Sequence, residues 1–338
     1  MKARDRPAPW GHAIRISRRH LLGSAAATLA FARLPAAAAQ SWPTGTVRLV
    51  SPYGAGGASD ILTRVFAEFF AHKTGQAFVV ENKAGAGTRI ANEMVSRAPP
   101  DGSTLLHAAA PISIGEALYP RLPYDVRKSF EPIVTTAIAP LFLVVNAETP
   151  FKTVADLVRH GRSQPQGLTF GSPGAASAPH LTAELFFRSA GVPGLNVHFR
   201  GDAAAYTDLL GGRLDATLTA LATAVPHVQA GKLRVLAVAT EERTTVSPQT
   251  PTFREQGHAQ VVGYGWYGLM APAGTSASTL QRANELANAA IADADVRKKA
   301  EAVGLQLRGG SSAEFAAFID SEARKWAQVI RASNITGE

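Results

Sequence analysis

Strand patterns and helix patterns alternate along most of the chain, and this alternation limits the folds open to it. TVRLVS (Thr46–Ser51) is an apolar run typical of a buried strand, ILTRVFAEFFAH then places its apolar residues on one helical stripe, and AFVVEN is the next strand. Such a unit predicts parallel strands joined by a right-handed crossover. The alternation continues to about Thr240, and a mainly helical tail runs from Ser278 to Ala332. The sequence therefore predicts an α/β fold.

The length of 338 residues predicts two lobes rather than one small core. No segment has the composition of a flexible linker, so we expect the chain to cross between the lobes more than once. The crossing candidates are the apolar stretches near Leu141–Asn146 and Gly265–Ala271, and the first belongs to a long β segment that we expect Pro140 to break. We assign 43–142 and 264–338 to lobe 1 and 143–263 to lobe 2.

Residues 1–39 have the pattern of a secretory signal peptide, with a basic start, a short apolar stretch and a run of small residues. Arg18 and Arg19 follow Ser17 and precede two leucines, which favours a twin-arginine signal; the alternative is a general export signal that contains two arginines. We therefore expect a periplasmic protein. No later segment reaches the length of a membrane-spanning helix.

Charge and composition exclude several classes of function. The signal segment carries +6 of the formal net charge of +8, so the remaining chain has no basic tract for a nucleic acid. The chain contains no cysteine, which excludes disulfides and thiolate chemistry. The histidines lack metal-ligand spacing and there is no G-x-S-x-G elbow, so we expect neither a metal nor a catalytic triad.

A glycine-rich turn, SPYGAGGASD (Ser51–Asp60), lies between the first strand and the first helix. Gly54, Gly56 and Gly57 allow the backbone to approach a ligand, and the helix that we expect to start at about Asp60 adds a positive end, so the turn suits an anion. A dinucleotide fingerprint would need a third spaced glycine and a phosphate loop would need a lysine, and both are missing. A carboxylate is favoured. The alternative is that Asp60 only caps the helix and the glycines only form the turn.

Two further turns have the same design, NKAGAGTRI (Asn82–Ile90) and GSPGAASAPHL (Gly171–Leu181). All three turns follow predicted strands. In an open sheet, ligands bind outside the carboxyl ends of the parallel strands. Together the turns predict an anion held between two lobes.

The ordered motifs of the chain resemble those of the Bug family, the periplasmic solute receptors of tripartite tricarboxylate transporters. They cover almost all of 43–335 and include YGAGGASDILTR, VVENKAGAGTRIANEMVSRAPPDGSTLL, LPYDVRKSFEPI, HLTAELFF, DLLGGRLDATL and GWYGLMAPAGT. The resemblance implies a two-lobed, type II Venus-flytrap fold that closes on a small carboxylate. It implies no catalysis, cofactor or metal.

The resemblance also implies which residues bind the ligand. In lobe 1 they are Tyr53, Ala55, Gly56, Gly57, Ser59 and Asp60 of the first loop, Gly85, Gly87 and Thr88 of the second turn, and the strand end Ala109 and Ala110. In lobe 2 they are Ser172, Ala176, Ser177, His180, Arg200, Gly201 and Asp202.

The chain departs from the family pattern at the lobe 2 loops. Ala176 stands where a glycine is usual, and HFRG (His198–Gly201) replaces P-Y-K-G. These differences affect the ligand identity rather than the fold.

Several of these residues have a second interpretation. Tyr53 either contacts the ligand or is a surface aromatic, Asp60 caps the helix or orients a water or amino group, and Ser177 donates to a carboxylate or caps a helix. His180 orders its loop or contacts the ligand, and Arg200 pairs with a carboxylate or with Asp202.

The expected function is capture of a di- or tricarboxylate or related anion for a membrane transporter, by a monomer that meets the transporter subunits transiently. Two alternatives are a sensor subunit that docks on a signalling partner and a nucleotide-dependent enzyme exported in the folded state.

Overall fold

The first β-α-β unit shows how the sequence pattern becomes structure. Strand β1 (Val47–Ser51) pairs in parallel with β2 (Phe78–Asn82), and helix α1 (Ala58–Thr74) connects them. Helix α1 buries Phe66 and Phe70, whose rings pack edge to face with their centroids 5.6 Å apart. Each such burial stabilises the fold by about 1.5–3 kcal/mol. The helix ends at Gly75, whose left-handed φ of 71° glycine adopts without strain.

The computed structural model describes residues 42–119, 121–172, 177–199 and 202–336, with the backbone alone described at 202, 203, 222 and 223. The predicted signal segment, Ala176, Arg200, Gly201 and the side chain of Asp202 lie outside this description. None of the helices within the described ranges is long and apolar enough to cross a bilayer.

The remaining elements confirm the predicted α/β fold. The later strands are β3 (Thr104–Ala109), β4 (Phe130–Asn146), β5 (Leu168–Ser172), β6 (Gly194–His198), β7 (Ala216–Ala220), β8 (Leu233–Val238), β9 (Tyr264–Pro272) and β10 (Gln306–Leu307). The later helices are α2 (Arg89–Ser96), α3 (Pro111–Leu118), α4 (Val126–Ser129), α5 (Val154–Ser163), α6 (Ala178–Ala190), α7 (Asp202–Leu210), α8 (Leu221–Gln229), α9 (Ala277–Ala292), α10 (Ala294–Glu301) and α11 (Ser312–Ala332).

The strands form a mixed sheet in the order β2-β1-β3-β9-β4-β7-β5-β6, with β8 and β10 also paired to β4. We call β2, β1, β3, β9 and β10, with Phe130–Pro140 of β4, the first half-sheet. The second half-sheet comprises β5 to β8 with Leu141–Asn146 of β4. Strands β1, β2 and β3 are parallel in the first, and β5, β6 and β7 in the second. In each half-sheet, the carboxyl ends of the three parallel strands therefore lie at the same end of the sheet.

The expectation that Pro140 breaks the long β segment is wrong. Strand β4 is continuous over 17 residues, and Pro140 lies inside it, opposite Tyr264 at the start of β9. From Leu141 onward β4 pairs with β7 and β8 instead. A proline is tolerated here because the ladder changes partner at this point. The numerical lobe boundaries given above stay a prediction.

Helices cover both faces of each half-sheet. In the first, Leu49 and Leu62 belong to one apolar cluster, and Trp266 and Phe315 to the cluster on the other face. The second half-sheet likewise has two clusters, one of them around Phe170 and Phe186.

A fifth cluster joins helices from both halves. Trp326, Val329 and Ile330 of α11 pack with Ile114 of α3, which follows the first half-sheet, and with Leu181 of α6, which follows β5 of the second. The helix α3 itself was not predicted from the sequence.

Candidate functional site

The first glycine turn leaves the start of α1 open. Gly57 occupies the N-cap position in extended backbone, and no side chain caps the helix. Gly56 has a φ of 86°, a left-handed conformation that explains a glycine at this position. The first N–H groups of α1, at the carboxyl end of β1, are therefore suited to an anion.

The helix-cap interpretation of Asp60 is wrong, because Asp60 lies in the first turn of α1 rather than before it. Its Oδ2 accepts the N–H of Gly56 at 2.9 Å and the Nε–H of Arg64 at 3.0 Å, and its Oδ1 accepts the amide of Asn82 at 2.9 Å. Asn82 also donates to the carbonyl of Tyr53 at 3.0 Å. Asp60 thus ties the first turn to the end of β2.

Burial raises the pKa of Asp60, but the hydrogen bonds from Arg64, Gly56 and Asn82 outweigh it and leave the pKa below its usual value. The side chain is 4% exposed, so the carboxylate is a structural charge rather than a surface one.

Ser59 points away from solvent, toward a buried polar chain. Its hydroxyl lies 3.2 Å from that of Ser51, and its carbonyl accepts the hydroxyl of Thr63 at 2.7 Å. The Thr63 oxygen also contacts Nδ1 of His107, whose Nε2 lies 2.9 Å from the hydroxyl of Thr136. Because the Thr63 proton goes to Ser59, we infer that His107 donates from Nδ1 and accepts from Thr136. Burial lowers the pKa of His107 to about 3, so the ring is neutral.

The second turn holds four consecutive residues at positive φ, namely Gly85 at 132°, Ala86 at 47°, Gly87 at 60° and Thr88 at 76°. Two of them are not glycine, so the backbone here is strained in the way often seen at ligand sites. The hydroxyl of Thr88 is buried and accepts the amide of Asn92 at 3.2 Å.

Two tyrosines lie beside the end of β3. Ala109 pairs with Tyr267 of β9, and Ala110 donates its N–H to the carbonyl of Trp266 at 3.0 Å. Burial raises the pKa of Tyr267 to about 12. Burial, and then the neighbouring Tyr267, raise the pKa of Tyr53, although the residue as a whole is 37% exposed. Both hydroxyls are therefore protonated donors at neutral pH.

Sequence reasoning did not select Tyr267. The sequence feature that could have pointed to Tyr267 is the strand period of two in YGWYGLMAP. This period puts Tyr267 on the opposite face from Trp266 and on the same face as Leu269. Only the strand order adds that Ala109 is its neighbour.

A second cluster forms at the carboxyl ends of β5 and β6. The Ser172 hydroxyl lies 2.8 Å from Nδ1 of His198, and the rings of His180 and His198 are 4.6 Å apart. Burial, and then the neighbouring His198, lower the pKa of His180 to about 4. Ser177 is the N-cap of α6, where its hydroxyl accepts the N–H of His180 at 3.4 Å. His198 was noted in the sequence as a departure but not as a site residue.

The predicted site residues thus fall into two groups, one at each half-sheet. The first turn and the end of β2 are joined through Asp60, and Ser172, Ser177 and His180 lie together in the second half. Ala176, Arg200, Gly201 and the Asp202 side chain lie outside the described residues. Within the described ranges, no group of three or more His, Asp or Glu side chains is placed to hold a metal ion.

Comparison with known proteins identifies the family of this chain. The sequence model of the protein family described as tripartite tricarboxylate transporter family receptor matches residues 62–335 of this chain. Protein BugT of Bordetella pertussis is 30% identical over 295 residues, 87% of this chain and 90% of that protein.

Two solved structures share the fold over most of the chain. The structure titled R. palustris Rpa4515 with adipate is 31% identical, with a TM-score of 0.76 over 87% of this chain and 99% of the other. MatC from Rhodopseudomonas palustris with bound malate is 28% identical, with a TM-score of 0.71 over 86% and 100%. The chain therefore has the two-lobed fold of these solute-binding proteins, and it belongs to the tripartite tricarboxylate transporter receptor family, together with the Bug proteins.

Proposed function

We propose that this protein is a periplasmic receptor that captures a small dicarboxylate or related organic anion between its lobes for a tripartite tricarboxylate transporter. The observation that carries the proposal is the open start of α1, whose preceding turn is held in place by Asp60. A carboxylate taken out of water needs charge-assisted donors for each oxygen, and a fixed set of backbone N–H groups meets that need.

The relatives support the proposed ligand class. The solved structures named above carry adipate and malate, and both molecules are small dicarboxylates. In the proposal, the first turn and the loop after β5 hold the ligand from opposite lobes. Ala55 and Gly57 present backbone, while Tyr53 and Ser177 present side-chain donors.

Binding is proposed to act through lobe closure rather than through chemistry. Strand β4 passes from one half-sheet to the other at Pro140 and Leu141, and the chain returns before Tyr264. A rotation at these two crossings would bring the lobes together on the ligand, and membrane subunits would bind the closed form transiently. The predicted signal at 1–39 would direct a monomer to the periplasm.

The direct test is a thermal-shift and calorimetry panel on the chain from Gln40 onward, with adipate, malate, citrate, acidic amino acids and nucleotides. A ligand at 100 times its dissociation constant should stabilise the folded state by about 2.7 kcal/mol. Stabilisation by carboxylates alone supports the receptor function. Stabilisation by nucleotides alone contradicts it and favours an exported enzyme.

The partner protein distinguishes a transport receptor from a sensor subunit. Cross-linking of the carboxylate-bound protein in intact cells should recover transporter membrane subunits. Recovery of a signalling protein in their place would support the sensor alternative.

A further inference from the structure

The histidine at the end of β6 has a ring nitrogen with no partner in the described structure. His198 is an exposed residue at the carboxyl end of an edge strand, where ligands of open sheets bind. Its Nδ1 faces Ser172, whereas its Nε2 has no hydrogen-bond partner among the described residues.

Ser172 fixes which nitrogen of His198 carries the proton. The serine is 1% exposed, and among the described residues its hydroxyl meets only Nδ1 of His198, at 2.8 Å. A buried O–H needs an acceptor, so the hydroxyl donates and Nδ1 accepts. The neutral ring then carries its proton on Nε2, directed away from Ser172.

The neighbouring His180 is the buried member of the histidine pair. It is 6% exposed and stays neutral near pH 7, since burial and the adjacent His198 lower its pKa to about 4. The acidic group that α6 brings to this pair is Glu184. Its Oε1 accepts the amide of Asn196 at 2.8 Å and lies 3.8 Å from Nε2 of His180. Of the two rings in this pair, that of His198 is therefore the exposed one.

We propose that His198, positioned by Ser172, donates its Nε2–H to a second acidic group of the ligand and thereby makes the receptor select dicarboxylates over monocarboxylates of equal chain length. This assignment rests on the proposed function, because it names a contact within the same ligand site. The first carboxylate lies at the start of α1, and the second faces the ends of β5 and β6. No described residue near Ser172 other than His198 offers an exposed ring N–H in this position.

The test compares matched ligands by isothermal titration calorimetry, using adipate with hexanoate and succinate with butyrate. We expect His198→Ala to weaken adipate or succinate binding by about 10-fold or more, the range for losing a hydrogen bond to a charged group, and to change monocarboxylate binding less than about 2-fold. His198→Gln, which keeps an N–H donor, should retain part of the selectivity. The matched control is His72→Ala, an exposed histidine of α1, which should change neither.

The positioning role of Ser172 has its own readout. Nitrogen NMR of labelled histidine should show His198 as the Nε2–H form in the wild type and as a mixture of tautomers in Ser172→Ala. A merely structural serine would leave the tautomer unchanged.

The outcomes distinguish the selectivity role of His198 from the proposed receptor function. Equal loss of mono- and dicarboxylate binding in His198→Ala, or no loss of either, overturns the selectivity role and leaves the receptor function standing. A wild-type protein that binds no carboxylate overturns both. Circular dichroism and the melting temperature check that each variant is folded, and His198→Gln serves as the second variant if the alanine is not.

Discussion

At the scale of single residues, the buried His107 links the stability of this fold to pH. It lies between Thr63 and Thr136 with no exposed surface, and burial holds its pKa at about 3 against about 6.5 in an unfolded chain. A lowered pKa means that the unfolded state binds the proton first. Its contribution to stability is therefore complete above pH 6.5 and is lost as the pH falls toward 3.

We expect the free energy of unfolding to lose up to about 1.4 kcal/mol per pH unit below pH 6.5 through His107. Urea denaturation at several pH values, on the wild type and His107→Gln, measures this slope. The variant should show a shallower slope, whereas the exposed His72→Gln should match the wild type. Equal slopes in His107→Gln and the wild type would contradict the assignment.

Asp60 shows at the same scale how a site can be organised by a residue that need not touch the ligand. Its two oxygens accept from opposite sides, Oδ2 from Gly56 and Arg64 and Oδ1 from Asn82. An asparagine in its place has one accepting oxygen and one donating NH₂ group. On one side, the NH₂ group would therefore face an N–H donor that now meets a carboxylate oxygen.

Asp60→Asn is therefore expected to lower the free energy of unfolding by about 1–3 kcal/mol and to weaken ligand binding, since the turn before α1 loses a tie. Chemical denaturation and calorimetry at pH 7 measure the two effects. Asp320→Asn is the control. It removes an exposed ion pair with Arg127 and should cost less than about 1 kcal/mol. Unchanged ligand affinity in Asp60→Asn would show that ligand recognition does not depend on the hydrogen bonds of Asp60.

At the scale of elements, the strands and long helices could be predicted because their apolar periods are strong. The sequence placed β1, β2 and α1 within three residues of their observed bounds. Helix α3 was missed because PISIGEAL directly follows a buried strand and is itself apolar, so no change of period marks the boundary. The prediction that Pro140 breaks the β segment is wrong because the sequence does not reveal that β4 changes partner there.

The element scale also explains which parts of the site could be foreseen. Glycine turns after strands carry a local signal, so the sequence marks all three turns, and their role in binding a ligand stays a prediction. Hydrogen bonds between turns, such as Asp60 with Asn82, and the approach of His198 to Ser172, depend on strand order, and this order is a long-range property.

Ser177 has two roles that can be separated at this scale. As the N-cap of α6 its loss should cost about 0.5–2 kcal/mol of stability in Ser177→Ala, and as a ligand donor its loss should weaken binding by about 1–2 kcal/mol. Denaturation gives the first value and calorimetry the second. Ser276→Ala, which removes the N-cap of α9, is the control that should affect stability alone. An unchanged affinity in Ser177→Ala would leave only the capping role.

At the scale of the whole molecule, α11 joins the two halves by packing, in addition to the strands that cross between them. Trp326 is 1% exposed and belongs to the cluster shared with α3 and α6, and its Nε1 donates to the buried carboxylate of Glu322 at 2.9 Å. Each half-sheet has apolar clusters of its own, so each can keep much of its packing when this shared cluster is lost. Cooperative unfolding of the whole chain should therefore depend on Trp326 more than on any core residue inside one half.

Trp326→Ala is expected to cost about 3–5 kcal/mol and to split one calorimetric unfolding transition into two, because the coupling between the halves weakens. Trp326→Phe keeps a ring in the cluster but leaves Glu322 without this donor, so it should cost less and preserve one transition. The matched control is Phe186→Ala, a fully buried residue of α6 in an apolar cluster of the second half, which should lower the melting temperature of that half. A single transition in Trp326→Ala at reduced temperature would mean that the strands at Pro140 and Tyr264, rather than α11, couple the halves. The two crossings would then resist rotation even without the packing of α11, and closure on a ligand would have to bend β4.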